Sequence, residues 1–140
     1  MSKEAMFEVF GDFDPSKYEE EAKQRWGQTA EYKQSKRKTA RYGKKEWQQI
    51  KEEGEALHQD LARAMEDGVK PTGRRAMDLA ERHRQHITRW FYDCGYPIHR
   101  GLGDGYVSDE RFTQFYERVR PGLAAYLRQA IHANADRNAS

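Results

Sequence analysis

Between Trp47 and Met65 the apolar positions fall three and four apart: Trp47, Ile50, Gly54, Leu57, Leu61 and Ala64, with Met65 alongside. That spacing lines these residues along one side of a 3.6-residue helix and is incompatible with the twofold alternation of a strand. Gly68 supplies the stop. A helix of about six turns with one apolar side has to bury that side against other elements, and the rest of the chain offers more helices to do it. Asp14-Pro15 is a cap followed by a first-turn proline, which predicts a helix over 15–26 before Gly27. A second follows Thr29 and ends near Tyr42-Gly43. After Pro71-Thr72-Gly73 comes a stripe of Ala76, Leu79, Ala80, His83, Ile87, Trp90, Phe91 and Cys94, which places Cys94 at the C-terminal end of a helix face. Pro97 starts a short helical turn that Gly101, Gly103 and Gly105 loosen. Ser108-Asp109 caps a helix carrying Phe112, Phe115, Tyr116 and Val119, and Pro121 opens a last helix with Leu123, Tyr126, Leu127, Ala130 and Ile131 facing inward. No segment alternates apolar and polar residues, so the expectation is a single all-α domain over 1–140 without repeats.

Within that domain the chain is uneven. Only 36% of residues are hydrophobic against 34% charged, and the mean hydropathy is -1.15, so a 140-residue core is modest and some segment is short of apolar surface. Residues 1–45 are that segment: Phe7, Phe10, Phe13, Tyr18, Trp26, Tyr32 and Tyr42 stand among dense charge with hardly any aliphatics. This predicts a lid over 1–45 that orders on a ligand or partner, and a helical core over 46–140. The net charge of +2, from 25 basic and 23 acidic residues, does not mark a nucleic-acid binder. One cysteine excludes an internal disulfide framework and fits a reducing compartment. No apolar run reaches membrane-spanning length and Met1–Asp12 lacks the apolar block of a signal peptide, so the expected location is the cytoplasm, with no membrane partner.

Function is sought between Trp90 and Phe112, where aromatics, glycines and the cysteine concentrate. Aromatic faces make apolar walls, glycines admit close approach, and a few polar atoms fix orientation, as in a small-molecule cleft. Cys94 paired with a histidine is a conceivable thiol enzyme. Burial as a small hydrophobe outweighs that reading, because a helix C-terminus and Asp93 both disfavour a thiolate. His83, His86 and His99 raise a metal site, but neither HExxH nor paired CxxC is present, so no metal and no cofactor is expected. His83, on the apolar face, suits a core imidazole and a cleft donor equally; His58 and His132 look like surface or boundary residues. The basic run Lys33, Lys36, Arg37, Lys38, Arg41, Lys44 and Lys45 fits a solvated helix face better than a phosphate site, though a protein- or nucleic-acid-interaction module stays open. Gly101, Gly103 and Gly105 do not form a phosphate loop.

The segments FEVFGDFDPSKYEEE at 7–21, HRQHI at 83–87, YDCGY at 92–96, LGDGYVSDERFT at 102–113 and PGLAAYLRQAIHANA at 121–135 resemble the antibiotic-recognition domain of TipA-type, thiostrepton-induced regulators of the MerR family. The resemblance covers nearly the whole chain. It implies a globin-like helical fold without haem that binds thiopeptide antibiotics in a deep cleft, with N-terminal helices ordered by the ligand. It also implies DNA contact only through a MerR-type region that is not in this chain, or a separate drug-sequestering form, which a start at Met1 would suit. Family members that couple covalently to the antibiotic carry a cysteine seven positions after that of YDCGY, where this chain has Gly101. Reversible binding is therefore expected. The resemblance and the aromatic stretch together nominate Asp78, His83, His86, Trp90, Phe91, Tyr92, Cys94, Tyr96, His99, Gly101, Tyr106 and Phe112 as ligand-binding residues, with His83 and Asp78 as polar anchors.

Overall fold

The computed structural model describes residues 27–139, and among these the regular elements are all helices. In chain order they are α1 (Ala30–Thr39), α2 (Lys44–Glu66), α3 (Arg74–Trp90), α4 (Tyr96–Ser108), α5 (Glu110–Val119) and α6 (Leu123–Arg137). The helix expected over 15–26 lies outside the described residues. The chain divides into two compact units, one of Met1–Gly54 with Ile87–Asp93, the other of Glu55–His86 with Cys94–Ser140.

In the described part of the first unit, α1 starts where Thr29 accepts the Tyr32 N–H on its hydroxyl, a side-chain N-cap. No residue of α1 is buried. The apolar centre is aromatic: Trp47, Ile50 and Trp90 are buried, with Tyr42 and Phe91 packed on them. Tyr42 meets Trp47 edge-on at 5.8 Å and Trp90 edge-on at 5.5 Å, an arrangement the ring quadrupoles favour. The last carbonyls of α3, which no helical N–H can reach, are taken up by side chains. Lys38 Nζ donates to the Thr88 carbonyl at 2.9 Å and Tyr42 Oη to that of Trp90 at 2.7 Å. Lys38 is thereby drawn out of the basic run, whose Lys33, Lys36, Arg37, Arg41, Lys44 and Lys45 remain on the exposed surface.

The second unit has an aliphatic core. Leu57 and Leu61 of α2 join Ala76 and Ala80 of α3 and Leu123, Leu127, Ala130 and Ile131 of α6, all essentially without solvent contact. Fully burying one such leucine contributes about 1.5–3 kcal/mol. Helix α4 packs on α6, and α5 on both. Gly103 sets the α4–α6 approach: a Cβ there would lie 3.3 Å from Ile131 Cδ1 and 3.5 Å from the Arg128 Cα. Entry into α6 needs another glycine, since Gly122 has φ 92, a left-handed conformation.

Three details differ from the sequence-based expectation. The turn at Pro97 is a complete helix of 13 residues despite its glycines, because burying His99, Gly103 and Tyr106 offsets a mid-helix cost of about 1 kcal/mol per glycine. Cys94 is buried but not on a helix: α3 ends at Trp90, and Cys94 lies in the turn before Gly95, the N-cap of α4. Helix α6 begins at Leu123, two residues after Pro121.

Candidate functional site

In the second unit, helices α2 to α5 bring imidazole and phenol rings together beside the aliphatic core. His58 of α2 stands edge-on to Phe115 at 5.6 Å and to Tyr116 at 5.2 Å. His83 of α3 stands edge-on to Tyr106 of α4 at 5.9 Å, and Tyr106 continues to Tyr116 at 4.9 Å and Phe112 at 5.9 Å. These are one helical face from each of four elements. The period of α5 puts Phe112, Phe115 and Tyr116 on one side, and the same spacing in α4 aligns His99 and Tyr106.

The most enclosed pair is His83 and His99. Their ring planes lie within 24° of each other with centroids 5.1 Å apart, and they meet edge to edge, His83 Nδ1 lying 2.8 Å from His99 Nε2. His99 is 0% exposed and His83 6%. Desolvation disfavours the imidazolium, so His99 is lowered to about 4 and His83 well below its ordinary range. His58 falls to about 4, first by burial and then by the nearby His86. At neutral pH these rings carry no charge. Burial also pushes the Tyr116 phenol upward. The resulting cluster is largely buried, aromatic and uncharged, with ring nitrogens and hydroxyls that can donate or accept, a chemistry that suits a neutral heteroaromatic ligand.

A polar knot holds α3, α4 and α6 around this cluster. Glu81 accepts from Arg84 Nη2 at 2.7 Å, Gln85 Nε2 at 2.9 Å, Tyr96 Oη at 3.0 Å and Asn134 Nδ2 at 3.0 Å. The hydrogen bonds, Arg84 first, outweigh burial and hold the Glu81 carboxyl at about 2. Arg84 also donates to the Cys94 carbonyl at 2.8 Å and lies over the Tyr96 ring at 4.3 Å. Cys94 itself is 1% exposed, and burial pushes its thiol up to about 11. A thiolate nucleophile at neutral pH is therefore disfavoured. Among the described residues no group of three His, Cys, Asp or Glu side chains is placed to hold a metal ion, and no helix is long and apolar enough to cross a membrane.

The nominated residues thus separate. His83, His99, Tyr106 and Phe112 belong to the ring cluster, His86 is an electrostatic neighbour of its His58 and His83, and Cys94 and Tyr96 belong to the polar knot beside it. Gly101 lies on an exposed stretch of α4 where an added Cβ would meet nothing within 4 Å. Asp78 is apart from them, pairing with Arg137 at 2.9 Å on the surface. Trp90, Phe91 and Tyr92 fall in the first unit, where Trp90 is a core residue whose Nε1 donates to Glu53 at 2.9 Å. His58, Phe115 and Tyr116 complete the cluster although none was nominated. The signal for His58 was its place next to Leu57 at the margin of the apolar stripe. Glu81 and Asn134 were also missed, and Asn134 was legible as a polar residue on the buried face formed by Ala130, Ile131 and Ala135.

Residues 18–134 match the model of the TipAS antibiotic-recognition domain. The chain is 53% identical over 138 residues to the HTH-type transcriptional activator TipA of Streptomyces coelicolor, covering 99% of this chain and 54% of that protein. It is 34% identical over 114 residues to the HTH-type transcriptional activator mta of Bacillus subtilis, covering 81% of this chain and 43% of that one. The chain thus spans about half the length of these relatives. Among solved structures, TipAS from Streptomyces lividans in complex with nosiheptide, a thiopeptide antibiotic multidrug resistance system, superposes with a TM-score of 0.91 at 52% identity, covering 100% of this chain and 98% of that one. The antibiotic-binding domain of a TipA-class multidrug resistance regulator gives a TM-score of 0.62 at 49% identity, covering 67% of this chain and 100% of that one. The match carries the globin-like, all-helical class with it.

Proposed function

Because the chain belongs to the TipAS antibiotic-recognition domain family, we propose that it binds a thiopeptide or similar azole-rich peptide antibiotic, reversibly and without catalysis. It would serve in the cytoplasm as the drug-recognition part of a TipA-like regulator or as a drug-sequestering domain, any DNA contact being left to a separate MerR-type region. The observation that carries this reading is the uncharged ring cluster of the second unit. Azole rings stack well on such faces, and a buried neutral imidazole offers polarity without the desolvation penalty of a charge.

Reversibility follows from the thiol chemistry. Position 101 is glycine, and the only cysteine is buried with its thiol near 11, so addition to a dehydroalanine lacks a ready nucleophile. The proposal includes a lid role for residues 1–45, of which 1–26 lie outside the described residues, to be seen as slowed amide exchange when the ligand is present.

Thermal unfolding with and without nosiheptide or thiostrepton tests the reading. A ligand at 100 times its dissociation constant should stabilise the protein by about 2.7 kcal/mol. The intact mass after denaturation should return to that of the free chain. An unmoved melting curve would remove the antibiotic reading, and a persistent adduct on Cys94 would remove reversibility.

A further inference from the structure

The contact between His83 and His99 has a consequence for the proton on each ring. Two neutral imidazoles 2.8 Å apart share one proton along the line from His83 Nδ1 to His99 Nε2. If His83 donated, His99 would keep its own proton on Nδ1. That atom is buried and has no hydrogen-bond partner among the described residues. A buried N–H left unpaired is the costlier orphan; a bare ring lone pair is the cheaper one. His99 Nε2–H therefore donates, His83 Nδ1 accepts, and the proton of His83 sits on Nε2. No hydrogen bond to His83 Nε2 is found among the described residues, yet this atom is not among the buried unpartnered ones, so the small exposure that His83 keeps includes it.

We infer that His83 is the hydrogen-bond donor of this site, offering Nε2–H to a neutral acceptor such as an azole nitrogen or an amide carbonyl, and that His99 is the positioning residue that fixes its tautomer. The inference rests on the antibiotic reading for the class of ligand but not for the tautomer, which belongs to the free protein. Both rings are kept neutral by burial, so the donor is a neutral N–H, as an uncharged heteroaromatic partner requires. Tyr106, edge-on to His83, holds the ring plane. The in-plane contact with His99 opposes the flip that would exchange the two nitrogens, because a flip would break it.

Long-range proton–nitrogen correlation of the full chain, labelled with 15N, reads both tautomers directly. The expected spectrum shows His83 and His99 each protonated on Nε2, and on adding nosiheptide the His83 Nε2 resonance shifts. His83→Leu should weaken nosiheptide binding about tenfold, the loss of one well-made neutral hydrogen bond. His83→Gln, which keeps an N–H near the ε position, should weaken it less. His99→Leu should leave His83 in mixed tautomers and lower affinity severalfold, although His83 itself is intact. A His83 proton found on Nδ1 in the free protein overturns the inference whatever the ligand does. Binding that leaves the Nε2 resonance unmoved overturns the donor role alone. Failure of the unmodified protein to bind nosiheptide overturns the antibiotic reading together with the donor role toward that ligand.

Discussion

The two units are built from different materials. The second buries Leu57, Leu61, Leu123, Leu127 and Ile131 completely, and its polar groups are tied into the Glu81 knot. The described part of the first buries two indoles and two isoleucines, Ile50 and Ile87, and α1 contributes no buried residue. Directional contacts hold this described part, among them the Tyr42 ring edges and the side chains that take up the end of α3. Close-packed aliphatics lose stability wherever they are trimmed, whereas directional aromatic and polar contacts can be lost one at a time in local openings. The difference assigns stability to the second unit and adaptability to the first.

The largest effect expected from this contrast is in the aliphatic core. Leu127→Ala should destabilise the domain by about 2–5 kcal/mol, measured by urea denaturation at pH 7. A loss below 1 kcal/mol would mean that the second unit is not the stable one.

Acid sharpens the same contrast, since all five histidines lie in the second unit. His99 titrates near 4 when folded against an ordinary 6.5, so the unfolded chain takes up its proton first as pH falls. The stability this residue contributes is complete above 6.5 and is lost on the way down to about 4, and His58 and His83 act in the same direction. A tenfold separation in proton affinity is worth about 1.4 kcal/mol, which puts the loss from the fully buried His99 alone at about 3 kcal/mol by pH 4. Glu81, held near 2, adds a further loss below 4.5. Urea midpoints at pH 7, 5.5 and 4.5 should fall in that order; a flat series would contradict the buried neutral histidines.

In the first unit the expected losses are smaller and local. Trp90→Phe keeps an aromatic ring but removes the Nε1 bond to Glu53, and should cost about 1–3 kcal/mol. Amide exchange should quicken over residues 30–54 and 87–93, with residues 94–135 keeping their protection. Uniform loss of protection would make the two units one cooperative structure. Surface charge should matter least. Arg75→Ala breaks an exposed pair with Asp67 and should change stability by no more than about 0.5 kcal/mol in the same denaturation assay.

The sequence revealed periodic elements more readily than it revealed neighbours. The three-and-four spacing located α2, α3, α5 and α6, and the caps at Thr29 and Asp109 operate through side-chain oxygens as composition suggested. Helix α4 was obscured because Gly101, Gly103 and Gly105 weaken it locally, while its stabilisation comes from packing on α6, which no local window contains. Of the site, His83, His99 and Tyr106 were nominated from the aromatic stretch and its resemblance. The contact of His83 with His99 joins positions 16 residues apart on different helices, and His58 reaches the cluster from a third. Such pairings depend on tertiary geometry, which spacing within one helix does not encode. Asp78, named with His83 as a polar anchor, is five residues from it on the same helix, which turns it to another side, where it pairs with Arg137.

The central claim is that the uncharged ring cluster of the second unit receives the antibiotic. It is tested most directly by a backbone and side-chain shift titration of the 15N,13C-labelled chain with nosiheptide. The predicted result is a saturable set of large shifts at His58, His83, Tyr106, Phe112, Phe115 and Tyr116; saturable binding that leaves all six unmoved would contradict it.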